Sequence, residues 1–526
     1  MNTGKPAKPL CRRLATILFF LSIAYAPWAW ACIRPAFLHV LEQLLGLSIV
    51  LLLPGWIRPT GRAPFPRILK LCIGWILLQG WFLVFNAKSV YNAATHQLVP
   101  IHSWFGFLPG ASDRNICFAS MLHVTVLLMA LPVAWDLMGC SRCRKFIFQW
   151  MALVAATVAG YGVAARWGWL PAMVSRPSFP TSPFGPFNYH GAAGAFLNLA
   201  IPLQIGLAAI EFRQPRRPVY GGIFAAAAGI TLLGLLVNVS RGAVLIGLLQ
   251  TILLAFLLLR LHLRQPRPLV QSATQTAAIK SCRRPVLILC CGVGITAIAV
   301  GSLLINPRWH SFGKYFDTLH SSRVLAWRVA WGMVTSHPVL GTGAGSFKLR
   351  FPISHHWLPD LYSHWVQTFY RPGHHVSQWS YASNDYLQNL VQFGFVGALA
   401  WMGLLWGWLL PHRRPQSVRR MHGPESYSDT VLFYCVMTAL LGVYCHAAFD
   451  YPLEIAPIQL CTVVCLAAIY RYAAGEGGNG QARYPEAPGN FGKTADFYQA
   501  LINAKNTVSQ FSCSLAINNQ MPCWYT

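Results

Sequence analysis

Charged residues are scarce in this 526-residue sequence, and acidic residues are the scarcest among them. Only 10% of the residues are charged, and Asp and Glu together number 14, whereas a soluble domain carries about 25% charged residues. The chain is 55% hydrophobic, and its mean hydropathy is +0.44. This balance excludes an ordinary soluble globular protein.

Uncharged stretches recur along most of the chain. Many of them run for roughly 20 residues, which is the length that a hydrocarbon core about 30 Å thick requires of a helix. Backbone polar groups inside lipid must find their partners within the segment, so these stretches are expected to be helices. The sequence therefore predicts an all-α, polytopic integral membrane protein with about 12 transmembrane helices.

Compact metal-binding and dinucleotide-binding motifs are also missing from the sequence. Cys140 and Cys143 form a lone CxxC without a second pair or nearby histidines, which is weak support for zinc. The glycines at 341, 343 and 345 do not sit in the strand–turn–helix unit of a dinucleotide fingerprint. We expect neither a metal ion nor an organic cofactor.

The predicted spans divide the chain into four regions. Residues 1–305 hold the first nine spans, 306–383 form a large polar loop, 384–471 hold the last three spans, and 472–526 form a mostly disordered tail. Most of the 41 Lys and Arg lie in the loops on the N-terminal side, as in cytoplasmic loops. We predict a bacterial inner-membrane protein with both termini in the cytoplasm and the large loop outside. The net charge of +27 then reflects orientation rather than nucleic-acid binding.

Two arginines on the predicted outer side are candidate anion ligands. Arg241 lies in a very short turn between two spans, and Arg323 opens an amphipathic helix in the large loop. A guanidinium matches the geometry of phosphate oxygens, and an arginine at this depth is a functional hypothesis by default. The alternative is an interfacial side chain that extends its charge into water.

Histidines and carboxylates supply candidate groups for acid–base chemistry. The large loop contains His374 and His375, a residue type that titrates near neutral pH and can act as a general base. Asp385 begins the tenth span, where a helix cap is the alternative reading. His446 and Asp450 mark the outer end of the eleventh span, either as a helix end in solvent or as part of the same site.

Four segments carry a family resemblance. In chain order they are FGPFNYHGAAGAFLNLAIPL, VNVSRGAVL, SSRVLAWRVAWGMVTSHPVLGTGAGSF and ASNDYLQNLVQFGFVG. Together they resemble the O-antigen ligase and polymerase superfamily, the membrane proteins of bacterial surface-polysaccharide assembly. The resemblance covers about residues 180–400.

The resemblance implies a glycosyltransferase with a GT-C-like membrane fold. Its donor would be a glycan on undecaprenyl diphosphate, and its acceptor would be a lipid or glycan outside the cytoplasmic membrane. Arg241 and Arg323 would bind the diphosphate, and Asn188, Asn384 and His446 are further candidate substrate-binding residues. Ligase and polymerase share these motifs, so both activities stay open.

The sequence departs from the family pattern at the position of its acid–base histidine. That histidine is replaced by Ser383, and a family glutamate is replaced by Gln392. The role then falls to His374, to His375 or to Asp385, or the activity is altered. A lipid-linked glycan flippase and a non-catalytic assembly component are the alternative functions, although the two related halves typical of transporters are not evident in the sequence.

Overall fold

The computed structural model describes most of the hydrophobic part of the chain. The described residues are 9–57, 64–92, 94–95, 97–139, 141–173, 183–214, 218–263, 322–354, 381–409 and 424–473. The predicted span near 286–305, the candidate bases His374 and His375, and the tail from residue 474 lie outside them.

Eleven helices of the described chain are long and apolar enough to cross a membrane. They are α1 (Pro9–Trp28), α2 (Pro35–Ile57), α3 (Arg67–Phe85), α4 (Arg114–Leu137), α5 (Ser141–Arg166), α6 (His190–Phe212), α7 (Pro218–Val237), α8 (Arg241–Leu263), α11 (Asp385–Trp406), α12 (Pro424–Ala447) and α13 (Ala456–Ala473). The prediction of an all-α polytopic membrane protein is confirmed.

The connecting segments contain structure of their own. The large polar loop carries α9 (Ser322–Ser336) and α10 (Phe347–Ser354), and α9 is the helix predicted to begin near Arg323. The segment between α3 and α4 contains an antiparallel hairpin of β1 (Ser89–Asn92) and β2 (Gln97–Pro100). Strands this short were hidden in a sequence dominated by helical hydrophobic runs.

Buried amides join the innermost helices. α6 is the most buried of the spans, and it packs against α5, α7, α8 and α12. The Asn198 side chain of α6 donates to the carbonyl of Ala243 on α8 at 2.7 Å, and Gln250 of α8 donates to the carbonyl of Thr438 on α12 at 2.9 Å. Such hydrogen bonds hold membrane helices together at about 0.6 kcal/mol each, since lipid offers no hydrophobic drive between helices.

A break in α11 receives the glycine-rich turn that follows α9. Gly394 has φ 61° and ψ −172°, which interrupts the helix. The turn enters this break, and the N–H of Gly343 donates to the carbonyl of Gln392 at 2.9 Å. A β-carbon at Gly341 would lie 2.5 Å from the amide nitrogen of Gly394. Two of the segments that carry the family resemblance are therefore in direct backbone contact.

Candidate functional site

Several polar helix ends meet at one end of the bundle, which we call the site end. The helices α6, α8, α11 and α13 begin there, and α12 ends there. The side chain of Asn238, in the turn before α8, donates to the carbonyl of His190 at 2.8 Å. The side chain of Asn384 donates to the carbonyl of Ala448, just after α12, at 2.8 Å. One bond joins the turn before α8 to the start of α6, and the other joins the start of α11 to the segment after α12.

Asp450 is the centre of a charged cluster at the site end. Its side chain is only 4% exposed, and its Oδ2 atom accepts a hydrogen bond from the hydroxyl of Tyr189 at 2.9 Å. The same oxygen lies 3.6 Å from Nε2 of His446 and 3.8 Å from Nη2 of Arg323. Arg323 also donates to the hydroxyl of Tyr189 at 3.3 Å.

The neighbours of Asp450 keep it ionised. Burial alone would raise the pKa of Asp450, but His446, Arg323 and Tyr189 lower it overall by hydrogen bonding and charge. Burial and the nearby carboxylate raise the pKa of Tyr189, so this hydroxyl stays protonated and donates. The result is a fixed negative charge that faces an arginine.

Arg323 remains substantially open to solvent. Its side chain is 45% exposed, and its separation from Asp450 is long for an ion pair. Half-exposed pairs of this kind contribute about 0–1 kcal/mol to stability. Asp450 and Tyr189 therefore orient the guanidinium without burying it, and it can still accept an anionic ligand.

Arg241 begins α8 at the same end of the bundle. A β-carbon at the next residue, Gly242, would lie 3.0 Å from the ring of Phe449, so the first turn of α8 packs on the segment after α12. The ring of Phe449 stacks on His446 with centroids 5.5 Å apart. The N-terminus of a helix also favours anions through its unpaired N–H groups.

Three stacked tyrosines connect the cluster to a cavity. The rings of Tyr189 and Tyr451 stack at 5.3 Å, and those of Tyr451 and Tyr381 stack at 4.4 Å. All three line a cavity of about 1020 Å³, which extends between α2, α4, α11 and α13. Asn188 and Asp385 also line this cavity, so it begins at the site end.

Three adjacent residues at the start of α11 make different contacts. Asn384 is the helix cap, because its Oδ1 atom accepts the N–H of Leu387 at 3.0 Å. Asp385 instead accepts the N–H of Leu453 at 2.8 Å, so the alternative reading of Asp385 as a cap is wrong. Ser383 has a left-handed backbone conformation with φ 52°, and its carbonyl accepts the indole N–H of Trp327 at 3.2 Å.

Four of the candidate residues within the described chain fall into two groups. Arg323 and His446 meet at Asp450, and His446 is 2% exposed, which places it behind the carboxylate. Asn188 and Asp385 line the cavity. Among the described residues there is no group of three or more His, Cys, Asp or Glu side chains that could hold a metal ion.

Sequence reasoning missed the tyrosines and Glu454. Tyr189 and Tyr451 each follow a polar candidate residue, Asn188 and Asp450, but aromatic residues are common at membrane interfaces and carry little signal alone. Glu454 lies in a 3-10 turn between α12 and α13 and lines the cavity. The signal available in the sequence was the scarcity of acidic residues, because Glu454 is one of only 14 in the chain.

Comparison with known families agrees with this picture. Residues 226–402 match the model of the O-antigen ligase family, and the predicted resemblance to the O-antigen ligase superfamily is confirmed over that segment. The matched range contains both candidate arginines and the start of α11. No curated protein matches the chain.

Proposed function

We propose that the protein is a membrane glycosyltransferase of the O-antigen ligase or polymerase type. It moves a glycan from undecaprenyl diphosphate to a lipid or glycan acceptor on the outer side of the bacterial cytoplasmic membrane. The observation that carries this proposal is the half-exposed Arg323 of the matched family segment, held by the buried carboxylate of Asp450, which lies after that segment. The family match supports a role in polysaccharide assembly.

Diphosphate binding is the part of the reaction that this cluster serves. Two guanidiniums, Arg241 and Arg323, stabilise the negative charge that grows on the leaving diphosphate, as fixed donors do in other group transfers. The pair Asp450 and Tyr189 limits the rotamers of Arg323, so less entropy is lost when the anion binds. Burying Asp450 also keeps this carboxylate away from the phosphate oxygens.

The acceptor step requires a base on the opposite side of the sugar. The acceptor hydroxyl oxygen bonds to the anomeric carbon, the bond from that carbon to the diphosphate oxygen breaks, and its electron pair leaves with the diphosphate. The hydroxyl proton passes to a carboxylate or imidazole. Within the described residues Asp385 is suited to this role, because it lines the cavity and its Oδ1 atom has no hydrogen-bond partner there.

Alanine at Arg323 tests the proposal, with Arg328 as a matched control. Arg328 is an exposed arginine on the same helix, α9. We expect Arg323→Ala to lose at least a hundredfold in transfer of lipid-linked glycan by the purified protein, and Arg328→Ala to retain activity. Both variants should insert and unfold like the original chain. Equal activity of the two variants, or glycan translocation without transfer, would refute the proposal.

A further inference from the structure

The lining of the cavity beside the tyrosine stack is most polar at the site end and mostly apolar at the far end. Its far part is lined by leucines and other apolar residues of α4, α11 and α13, such as Leu131, Leu405 and Leu466. Near the site end the lining includes Asp385, Glu454 and several amides. A ligand that fills this cavity is therefore amphipathic, and its polar part lies next to the tyrosines.

Oxygen atoms without a hydrogen-bond partner indicate which groups the polar part of the ligand carries. Asp385 is 6% exposed, and its Oδ1 atom has no hydrogen-bond partner in the described part of the chain. The Oδ1 atoms of Asn188 and Asn389 share this property, and all three residues line the cavity. Leaving a buried acceptor unpaired costs about 1–3 kcal/mol. A ligand that donates hydrogen bonds would recover that cost.

Two carboxyl groups lie where the ligand would sit. Glu454 and Asp385 line the same end of the cavity. A third acid in the lining, Glu42, is compensated by contacts of 2.9 Å with His39 and 3.2 Å with His123. The lining also includes Lys348, which is exposed. A phosphate placed against Asp385 and Glu454 would set its oxygens against carboxyl oxygens, which repel it once either acid is ionised.

Resting on the proposed transferase function, we propose that the site end of this cavity is the acceptor subsite and that it takes a neutral or amine-bearing sugar. Hydroxyl or ammonium groups donate to Asp385, Glu454 and Asn389, and the sugar ring lies on the tyrosine faces. Phosphorylated sugars are rejected. The tyrosine stack then separates two ligands of different charge, with the anionic donor on the Arg323 side and the acceptor on the carboxylate side.

The charge preference is tested on the unmodified full-length protein in nanodiscs. The probes are octyl glucoside, octyl glucosaminide and octyl glucoside 6-phosphate, and binding is followed by isothermal titration calorimetry. We expect the neutral and amine probes to bind at least tenfold more tightly than the phosphate. Equal or tighter binding of the phosphorylated probe would overturn the proposal without any variant having to fold.

Variants then locate the binding to the cavity. Asp385→Asn and Glu454→Gln should each weaken binding of the amine probe at least fivefold. Each should also reduce the ratio of its affinity to that of the phosphorylated probe. Asp136→Asn, which changes a buried acid at the other end of α4, is the control and should bind like the original. Wild-type affinities in both cavity variants would overturn the proposal.

Because this readout needs no turnover, the two proposals can fail separately. If the probes bind without selectivity but Arg323→Ala still abolishes glycan transfer, only the proposed acceptor subsite is refuted. If the protein binds the probes selectively but transfers no glycan, the proposed transferase function is refuted. The bound sugar could then no longer be called an acceptor.

Discussion

Replacing Asp450 by asparagine separates the orientation of Arg323 from its charge. The change preserves the size of the side chain but removes the carboxylate that contacts Tyr189, His446 and Arg323. Arg323 itself is unchanged and keeps its full positive charge. If the cluster serves diphosphate binding, the loss should appear in transfer much more than in folding.

The contacts of Asp450 set the size of the stability effect. The hydrogen bond from Tyr189 to a carboxylate is charge-assisted and contributes about 1.5–3 kcal/mol, and an amide oxygen keeps part of it. The pair with Arg323 adds about 0–1 kcal/mol, because that side chain is largely exposed. We therefore expect Asp450→Asn to lower the free energy of unfolding by about 1–3 kcal/mol.

The effect on catalysis should be larger than the effect on folding. A displacement of about 1 Å in a positioned group can cost on the order of a hundredfold in rate, and Arg323 loses its anchor in this variant. The assay measures transfer of lipid-linked glycan beside thermal unfolding for both single variants and the double variant Arg323→Ala/Asp450→Asn. If Asp450 acts through Arg323, the double variant transfers no more slowly than Arg323→Ala. Independent, multiplying losses would refute the reasoning.

Three further predictions concern stability and use thermal or denaturant unfolding in lipid. Asp429→Asn should lower the free energy of unfolding by about 3–5 kcal/mol, because Arg144 is 2% exposed and its Nη2 lies 3.1 Å from that carboxylate; an unchanged stability would contradict this. Burial raises the pKa of Glu454 to about 7, so the folded chain holds a proton that the unfolded chain releases. Stability should therefore fall by on the order of 3 kcal/mol as pH rises from about 4.5 to 7, and Glu454→Gln should remove that slope. Gly394→Ala should destabilise by more than about 2 kcal/mol, because φ there is 61° and the new carbon would lie 2.5 Å from a backbone carbonyl carbon, whereas Gly229→Ala should be tolerated.

The membrane fold could be predicted because hydrophobic length is a local property. A run of uncharged residues must satisfy its own backbone in lipid, so each span was visible without knowledge of its neighbours. The start of α9 was visible from helical periodicity instead, since Arg323 precedes an apolar face. The hairpin of β1 and β2 was not visible, because four-residue strands depend on pairing across the turn and leave no periodic signal.

The cluster around Asp450 depends on contacts between distant parts of the chain. Tyr189 and Asp450 are 261 residues apart, and only the packing of α6 against α12 brings them together. The sequence indicated Arg323 and His446 through their residue types and positions, but it could not show that one buried carboxylate joins them. The aromatic stack of Tyr189, Tyr451 and Tyr381 is hidden for the same reason.

The structure also bears on the replacement of a family histidine by Ser383 that the resemblance implies. The serine backbone is held by Trp327 through its carbonyl, so the residue has a structural function that does not need an imidazole. Two positions later Asp385 offers an unpaired oxygen to the cavity, and a carboxylate is a competent acceptor of a hydroxyl proton where the attacking group is already bound against it. If the proposed acceptor subsite is correct, it therefore already contains a proton acceptor, and the loss of the histidine would not remove the chemistry.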